Sequence, residues 1–428
     1  MNILLLGSGA REHALAVALK ASPSTSELFC IPGNPGIAEI ATCHSIEVTN
    51  DSIVAFCKEH SIEFVVVGPE QYLEQGIADT LRANSISVFG PSKSAAKLET
   101  SKSFSKDFMK RHSIPTARYG NFTQSQLTDA LDFLHSLSTP IVIKADGLAA
   151  GKGVVIAESI KEAQETIAEM FSGKFGSASS KIVIEEFLKG EEISVFAICD
   201  GNDFFLLPAA QDHKRILEND KGKNTGGMGS YAPTPFATLD VMNSIANDVV
   251  APTLRGMKQE GSPFVGCLFV GLMIVDSKPF VIEYNVRFGD PETQSVLTLL
   301  KGDVASLLFS ASIGSVNKQS VFVSSGYAST VVLASKGYPD SFEKGKIIGG
   351  LTNIKPENVQ VYHAGTTLKD GTVVTNGGRV LSVTAYAPSL EESLEKAYQG
   401  VNSIHFENKV FRQDIGMKGM KQLKLNSY

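Results

Sequence analysis

Hydrophobic and polar positions follow two different periods along the first hundred residues. Short apolar runs such as NILLL, ELFCI and EFVVV are typical of buried strands, whereas AREHALAVALK between the first two runs has the spacing of a helix. A helical stretch after each strand predicts a parallel α/β sheet. In such a sheet, ligand-binding loops lie at the carboxyl ends of the strands.

The pattern changes after SIPTARYG, where Pro115 is expected to end a helical stretch, SAAKLETSKSFSKDFMKRH. Beyond it the pattern predicts strand, glycine-rich loop, strand, helix and strand, then further strands with a helix near 240–257. From SGYASTVVLASKGYP onward the chain is rich in strands, with a late helix at LEESLEKAYQGV. We therefore expect a multidomain protein of α/β and α+β class. Its expected regions are 1–115, an N-terminal parallel α/β domain; 116–190 and 191–324, two central lobes; and 325–428, a strand-rich C-terminal domain.

Composition narrows the function class. The 428 residues are 43% hydrophobic and 20% charged, as in ordinary globular proteins, and the net charge of −6 gives no case for binding nucleic acid or an anionic membrane. The five cysteines are scattered without a C-x-x-C pair, which suits a reducing compartment. The first apolar run stops at Gly7, too early for a signal peptide or a membrane span. We expect a cytoplasmic, monomeric enzyme that acts on small molecules.

Two glycine-rich turns follow neighbouring strands of the predicted N-terminal sheet. The first is GSGAREH, in which glycines let backbone N–H groups approach a phosphate at a helix N-terminus. As a dinucleotide fingerprint it is defective, because Glu12 replaces the third glycine and no acid follows the second strand. The second turn is PGNPG, residues 32–36. Together the two turns predict a cradle for one small phosphorylated molecule, with purely structural tight turns as the alternative.

A lysine- and glycine-rich loop, KADGLAAGKGV, lies between two predicted strands. It is not a P-loop, because only three residues separate Gly147 from Gly151, and Lys152 is followed by Gly153 where a hydroxyl is required. We interpret the loop as a flap whose amides fold over phosphates, while Lys144 on the preceding strand supplies a charge. A structural hairpin is the alternative, although the loop is longer than a hairpin needs.

The stretch IVIEEFLKGEEIS carries four acids at the end of a predicted strand. The backbone after Glu186 is placed to hydrogen-bond an adenine edge, and an acid that follows is placed to bind ribose hydroxyls. Acidic strand ends are also common on solvated surfaces, so this stretch alone leaves both interpretations open.

The stretch KPFVIEYNVRFGDPETQ is the most informative in the chain. Period-2 alternation places Glu283, Asn285 and Arg287 on one face of a strand. A carboxylate and an amide oxygen suit Mg²⁺, which takes hard oxygen ligands, and an adjacent guanidinium stabilises charge on a transferring phosphoryl group or an acyl phosphate. The alternative is a solvated strand face. The same alternation assigns the opposite face to Ile282, Tyr284 and Val286.

The polar run from Asp212 to Gly229 contains DHKR and NTGGMG. His213 alone would be an ordinary surface or capping histidine. With the neighbouring cations and a glycine turn rich in N–H donors, the run predicts an anion-handling loop.

These segments, in this order, resemble the glycinamide ribonucleotide synthetase (phosphoribosylamine–glycine ligase) family of ATP-grasp ligases. The resemblance rests on GSGAREHA, KADGLAAGKGVVIA, EEFLKGEEISV, QDHKR, NTGGMGSYAP, EYNVRFGDPETQ and VFRQDIG, and it covers essentially the whole chain. It implies a two-lobed ATP-grasp core and the ligation of glycine to 5-phosphoribosylamine with ATP and Mg²⁺ or Mn²⁺. In this reaction the glycine carboxylate would attack the γ-phosphate and form glycyl phosphate as an intermediate. The resemblance also leads us to expect the form of the enzyme that has this activity alone, rather than a fusion with later enzymes of the pathway.

The resemblance implies a role for each matching residue. The nucleotide phosphates would contact Lys102, Lys144 and the flap with Gly147, Gly151, Lys152 and Gly153, and adenosine would contact Glu185, Glu186, Leu188 and Glu192. The metal would be held by Glu283 and Asn285. The phosphoribosyl group would face Gly9, Arg11, Glu12, Gly33, Asn34, Pro35 and Gly36. The glycine side would be closed by Asp212, His213, Lys214, Gly227, Met228, Gly229 and Arg287. The expected catalytic residues are Arg287, Lys144 and Asp212.

Two alternatives remain at the level of sequence. A nucleotide-binding regulatory protein without turnover would not need the metal pair or Arg287, and a related ATP-grasp purine enzyme would carboxylate or formylate a ribonucleotide instead. One departure from the wider superfamily also stands out. Many ATP-grasp enzymes carry another acid on the strand before the metal pair, but GCLFVGLMIV contains none, so the ligands of a second metal ion stay open.

Overall fold

The computed structural model of the protein describes residues 1–147, 153–173, 180–354 and 359–426. Its main sheets are a five-stranded sheet, two four-stranded sheets and a six-stranded sheet, in the mixed α/β arrangement that the sequence predicts. Among the helices in these ranges, none is long and apolar enough to cross a membrane.

The N-terminal region forms the predicted parallel sheet. Its elements are β1 (Asn2–Gly7), α1 (Ala10–Lys20), β2 (Glu27–Pro32), β3 (Thr42–Cys43), α2 (Asn50–Glu59), β4 (Phe64–Val67), α3 (Glu70–Glu74), α4 (Ile77–Ala83) and β5 (Ser87–Phe89). The strand order is β3-β2-β1-β4-β5, and every pairing is parallel. Both faces of β1 are buried, since Leu4 and Leu6 join one apolar cluster and Ile3 and Leu5 join another. Continuous apolar runs are expected for strands that are covered on both sides.

Two short helices, α5 (Lys97–Thr100) and α6 (Lys102–Arg111), replace the single helical stretch predicted before Pro115. The break falls at Ser101, whose side-chain oxygen accepts a hydrogen bond from the backbone N–H of Phe104 at 3.2 Å. A serine in this position is a favourable helix N-cap. The cap brings Lys102 to the first turn of α6.

The next region is an antiparallel sheet with two helices packed on it. It consists of β6 (Tyr119–Thr123), α7 (Leu127–His135), β7 (Ile141–Ala145), β8 (Val154–Ala157), α8 (Ile160–Phe171) and β9 (Lys181–Glu186), with strand order β6-β9-β7-β8. The strands on either side of the predicted flap are β7 and β8, and they pair antiparallel as expected. Residues 148–152 of that loop, including Gly151 and Lys152, lie outside the described residues, so the flap itself stays a prediction.

The next region contains a four-stranded sheet together with several helices and shorter strands. The elements in chain order are β10 (Glu191–Asp200), β11 (Phe204–Leu206), β12 (Gln211–Asp212), β13 (Arg215–Leu217), β14 (Lys221–Asn224), β15 (Gly229–Ala232), α9 (Leu239–Ser244), a π-helical segment (Ile245–Val250), α10 (Ala251–Gln259), β16 (Val265–Val275), β17 (Lys278–Asn285), α11 (Glu292–Leu299), β18 (Leu300–Gly302), α12 (Val304–Ser312) and β19 (Val321–Val323). The sheet has the order β11-β10-β16-β17 and is antiparallel.

The C-terminal elements are β20 (Tyr327–Ser335), β21 (Val359–His363), β22 (Thr366–Lys369), β23 (Thr372–Thr375), β24 (Arg379–Ala387), α13 (Leu390–Ser403), β25 (Lys409–Val410) and α14 (Met417–Asn426). The six-stranded sheet has the order β12-β15-β20-β24-β21, with β25 paired to β20. Because β12 and β15 come from the region expected to form the second central lobe, the expected boundary at 324 does not separate two independent sheets. The segment that carries DHKR and NTGGMG is held by the C-terminal strands.

Two buried histidines join the C-terminal region to the N-terminal turns. The backbone N–H of His363 donates to Nδ1 of His13 at 2.9 Å, and Nδ2 of Asn34 donates to the carbonyl oxygen of His363 at 2.8 Å. Burial lowers the pKa of His13 from 6.5 to about 3, with a further contribution from His363, and burial lowers the pKa of His363 to about 4. Both rings are therefore neutral in the folded protein at neutral pH.

These lowered pKa values predict acid sensitivity at this joint. The unfolded chain binds protons below its ordinary histidine pKa and the folded state does not, so the contribution to stability is complete above pH 6.5 and is lost as the pH falls toward 3–4. Between pH 7 and pH 5, each histidine should lower the free energy of unfolding by about 1–2 kcal/mol. The thermal midpoint of His13→Asn, which keeps a hydrogen-bond acceptor, should change less over this interval than that of the wild type. Replacement of the exposed His135 is the control, and an unchanged acid response in His13→Asn would contradict the assignment.

Candidate active site

The two central sheets meet at a contact between β7 and β17. Nζ of Lys144, near the end of β7, donates to the backbone carbonyl oxygen of Ile282 at 3.1 Å. Nearby, the hydroxyl of Thr116 donates to the carbonyl oxygen of Val281 at 2.6 Å. The strand predicted to hold a metal therefore lies directly against the lysine predicted to bind phosphates.

A β-bulge in β17 makes this contact possible. Glu283 pairs with Gly271 of β16, whereas the next pair is Val281 with Leu272, so Ile282 is an extra residue on its strand. The prediction that Ile282 shares the apolar face is therefore wrong. Val281 takes that place, and it lies in one core cluster with Tyr284 and Val286. The register shift turns the carbonyl of Ile282 toward Lys144.

Glu283 and Asn285 lie on the strand face opposite this core, as predicted. Burial alone would raise the pKa of Glu283, but Lys214, Lys144, Lys102 and Arg287 more than offset burial and lower it. A charged carboxylate next to an amide oxygen fits a magnesium ion that keeps further ligands from phosphate. Glu283 faces Gly271, and a Cβ atom added there would lie 3.2 Å from Cγ of Glu283. A side chain at position 271 would therefore require the side chain of Glu283 to shift by a few tenths of an ångström. Within the described ranges, no group of three or more acidic, histidine or cysteine side chains could hold a metal.

Arg287 is held by two carboxylates from the N-terminal third of the chain. Its Nε lies 3.1 Å from Oε2 of Glu70, and its Nη2 lies 3.1 Å from Oε1 of Glu99. Nη2 also donates to Oδ1 of Asn285 at 3.3 Å. The other oxygen of Glu99 accepts the backbone N–H of Val286 at 2.7 Å. The guanidinium is therefore fixed beside the predicted metal ligands.

Lys102 is joined to the base of the predicted flap. Its Nζ donates to the carbonyl oxygen of Gly147 at 3.2 Å. Asp146 accepts from the backbone N–H of Ser103 at 2.6 Å and from the hydroxyl of Ser101 at 3.2 Å. Burial lowers the pKa of Lys102, Lys144 lowers it further, and Glu283 opposes them. The structure thus brings Lys102, Lys144 and Glu283 into one electrostatic environment.

The residues predicted for adenosine lie where β9 leaves its sheet. The carboxylate of Glu185 is buried and turned inward, 2.9 Å from Nζ of Lys144 and 2.7 Å from Nζ of Lys106. Oε1 of Glu186 accepts the backbone N–H of Arg118 at 2.8 Å, and Leu188 is half-buried. Both carboxylates are engaged within the protein, so the predicted adenine contact at this position stays a prediction for the backbone.

A second charged cluster surrounds Lys214. Its Nζ forms an ion pair with Glu192 and lies 3.8 Å from Oε1 of Glu283. Burial raises the pKa of Asp212 well above its ordinary value, and Glu292 adds to this while Lys214 opposes it. Burial likewise raises the pKa of Glu292. Glu292 is buried and Asp212 is half-buried, and the raised pKa of each carboxyl group means that it holds a proton more readily than it would in water.

The N-terminal turns are held together by buried side chains. Oε2 of Glu12 accepts the backbone N–H of Gly9 at 2.7 Å, and Oε1 of Glu12 lies 2.6 Å from Nε of Arg11. Nη1 of Arg11 donates to the carbonyl oxygen of Phe288 at 2.9 Å, which joins this turn to the end of β17. The carboxylate of Glu12 therefore supports the backbone of its own turn.

The second turn is packed directly against the first. Gly33 donates its N–H to the carbonyl oxygen of Gly7 at 3.1 Å, and Nδ2 of Asn34 donates to that of Ser8 at 2.8 Å. A Cβ atom added at Gly36, next to Pro35, would lie 2.3 Å from the ring of His13, so the turn requires glycine there. The two turns form one surface at the carboxyl ends of β1 and β2.

Two residues predicted to close the glycine side, His213 and Met228, are buried. The ring of His213 accepts the backbone N–H of Gly416 at Nε2, 3.2 Å away, and its Nδ1 lies 3.3 Å from the carbonyl oxygen of Gly229. Burial lowers the pKa of His213 to about 4, with Arg412 as a further cause. The side chain of Met228 is also fully buried. The ring of His213 joins the loop to the C-terminal segment, so direct anion contact by this residue is not supported.

Several residues of the site carry no signal that sequence reasoning could use. Glu70, Glu99 and Lys106 lie in ordinary helical stretches. Arg379 is likewise unmarked, yet it donates to the carbonyl oxygens of Gly226 and Asp290 at 2.8 and 2.7 Å and thereby fixes the NTGGMG turn. Glu292 did carry a signal, because it belongs to the GDPETQ stretch next to the metal pair.

Comparison with known proteins agrees with this geometry. Three family models match the chain in order: phosphoribosylglycinamide synthetase N domain over residues 1–99, its ATP-grasp (A) domain over 100–293 and its C domain over 328–418. The chain belongs to the phosphoribosylglycinamide synthetase family. As a member of this family it is an ATP-dependent ligase of the ATP-grasp type.

Relatives in this family align with nearly the whole chain. The phosphoribosylamine–glycine ligase of Mesorhizobium japonicum is 48% identical over 421 residues, which cover 98% of this chain and 99% of the relative. The crystal structure of the Thermotoga maritima phosphoribosylamine–glycine ligase superposes with a TM-score of 0.85 at 38% identity, covering 97% of this chain and 100% of that one. A biotin carboxylase from Campylobacter jejuni gives a TM-score of 0.73 at 13% identity, covering 97% and 94% of the two chains, which shows a shared fold alone.

Proposed function

We propose that this protein joins glycine to 5-phosphoribosylamine with the cleavage of ATP, giving glycinamide ribonucleotide, ADP and phosphate in de novo purine biosynthesis. One observation carries the proposal: three lysines (Lys102, Lys144 and Lys214) surround Glu283, which lies beside Asn285 on β17. Such a cationic site with two hard oxygen ligands fits a metal-bound triphosphate and an acid substrate. The family and its full-length relatives supply the identity of the two substrates.

The reaction has two steps and needs no protein nucleophile. A carboxylate oxygen of glycine attacks the γ-phosphorus, the bond to the β-phosphate oxygen breaks, and ADP leaves. The amine of phosphoribosylamine then attacks the acyl carbon, the acyl carbon–oxygen bond breaks, and phosphate leaves as the nitrogen loses a proton. Positioning and charge neutralisation carry most of the catalysis of such phosphoryl transfers.

The cations of the site are assigned to the phosphates. Lys102 and Lys144 would bind the nucleotide phosphates, and Arg287 would stabilise charge on the transferring phosphoryl group and the acyl phosphate. Mg²⁺ is the assigned metal, with Mn²⁺ as an alternative, and Glu283 and Asn285 would hold it. When bound, the metal neutralises phosphate charge.

Asp212 and Glu292 are assigned to glycine. Both carboxyl groups have raised pKa values, so a positively charged group beside them would be favoured because it stabilises their charged forms. The ammonium group of glycine has that charge. Arg379, through the NTGGMG turn, would keep the enclosing loop in place.

The phosphoribosyl group is assigned to the surface formed by the two N-terminal turns. The N-terminus of α1, near Arg11, favours an anion because the backbone N–H groups of the first helical turn point toward it. The hydrogen bond from Arg11 to the carbonyl oxygen of Phe288, one residue after Arg287, supports this assignment. We also propose that the protein acts as a monomer in the cytoplasm.

The test is an assay of phosphate release from ATP. Purified protein should release phosphate only when glycine and phosphoribosylamine are both present, and not when formate or bicarbonate replaces glycine. Release with formate or bicarbonate would indicate a related ligase. ATP binding without any release would indicate a nucleotide-binding regulator.

A further inference from the structure

A buried lysine outside the proposed contacts lies directly behind Lys144. Lys106, on α6, is 2% exposed. Its Nζ lies 2.7 Å from Oε2 of Glu185 and donates to the hydroxyl of Thr116 at 2.7 Å. The other oxygen of Glu185 lies 2.9 Å from Nζ of Lys144. A single buried carboxylate is therefore shared by two ammonium groups.

Burying these three charged groups is unfavourable for the stability of the fold. Removing a charged group from water is unfavourable, and a buried ion pair seldom repays that cost by attraction alone. Burial lowers the pKa of Lys106 to about 8, although Glu185 acts in the opposite direction. One lysine would be enough to neutralise Glu185, so the second leaves the cluster with an excess cation.

The excess charge lies next to the strand that carries the proposed metal ligand Glu283. Lys144 contacts the bulge carbonyl of Ile282, one residue before Glu283. Lys106 contacts the same strand indirectly. It donates to the hydroxyl of Thr116, which in turn donates to the carbonyl oxygen of Val281. The cluster of Lys106, Glu185 and Lys144 thus spans α6, β7 and β9 and ends against β17.

We propose that Lys106 is a positioning residue that shares the charge of Glu185, so that Lys144 remains a net cation toward the nucleotide phosphates. The inference rests on the proposed contact between Lys144 and those phosphates. Two ammonium groups and one carboxylate leave one positive charge in the cluster. Without Lys106, Glu185 pairs with Lys144 alone, and the cluster is neutral.

Charge restoration separates this role from a structural one. Lys106→Met should weaken ATP binding on the order of tenfold, because one charge is lost a short distance from the triphosphate. The double variant Lys106→Met with Glu185→Gln has one cation and no carboxylate, so its affinity for ATP should return toward that of the wild type. A purely structural role predicts the reverse, since the double variant removes more of the buried contacts.

The measurement is calorimetric titration with Mg·ATP in the absence of the other substrates, with the thermal midpoint recorded for each variant. Lys110→Met, on the exposed side of the same helix, is the matched control and should bind as the wild type does. Lys106→Arg retains the charge, so it should keep most of the affinity, and it provides the test if Lys106→Met does not fold. An unchanged affinity in Lys106→Met overturns the inference, as does a folded double variant that binds no better than the single one. Failed ligation with intact charge restoration would count against the proposed reaction alone.

Discussion

Arg287→Lys should bind ATP nearly as the wild type does but turn over roughly 10²-fold more slowly, a transition-state loss of about 2.7 kcal/mol. Arg287 contacts Glu70 and Glu99 through two different nitrogens and also contacts Asn285. Lysine keeps the charge but has no planar fork, so it cannot hold both carboxylates while facing a phosphate. The cation should therefore shift away from the acyl phosphate, with its charge retained.

The check is to measure ATP affinity and turnover separately in the purified variant. Arg111→Lys is a matched control, because Arg111 also contacts one carboxylate through two nitrogens, both 2.9 Å from Glu260, but lies on the surface. That variant should keep full turnover. If ATP affinity collapses in Arg287→Lys while turnover at saturation is retained, Arg287 serves nucleotide binding and its placement at the acyl phosphate is wrong.

Glu283→Gln should raise the magnesium concentration needed for activity by at least about 10²-fold, since even outer partners of metal ligands contribute 10- to 100-fold. The substitution keeps the shape of the side chain and removes the charge that faces Lys214, Lys144 and Lys102. It opens no apolar cavity, so the thermal midpoint should stay close to that of the wild type. The measurement is activity against magnesium concentration at fixed ATP.

The control is Glu260→Gln, because Glu260 is a carboxylate near the surface that pairs with Arg111. This substitution should leave the magnesium requirement unchanged. Asn285→Ala should act in the same direction as Glu283→Gln. Wild-type activity of both Glu283→Gln and Asn285→Ala at limiting magnesium would remove the metal assignment from β17.

The sequence predicts the local elements well because their signals are local. The alternation of apolar runs and helical stretches identifies the N-terminal sheet, and strands on both sides of KADGLAAGKG distinguish it from a P-loop. The alternation on β17 correctly places Glu283 and Asn285 away from Tyr284. It fails at Ile282, because a bulge depends on the register of the partner strand, which a single strand does not encode.

The parts that sequence reasoning missed are all long-range contacts. Glu70 and Glu99 are acids in unremarkable helices until Arg287, far along the chain, lies between them. His213 looks like an exposed polar residue, yet Gly416 occupies one of its ring nitrogens. In each case the functional meaning of a residue depends on a partner more than a hundred positions away, which no motif or period records.

The pairing of β15 with β20 sets the order in which the protein can be completed. Gly229 at the end of the NTGGMG turn lies opposite Val331. The strand β15 pairs with β12 on its other side, so it acquires β20 as its second neighbour only after synthesis has passed the ATP-grasp region. The sheets that carry Lys144 and Glu283 form from residues that emerge earlier. The sheet that holds the NTGGMG turn is therefore completed last in each newly made molecule.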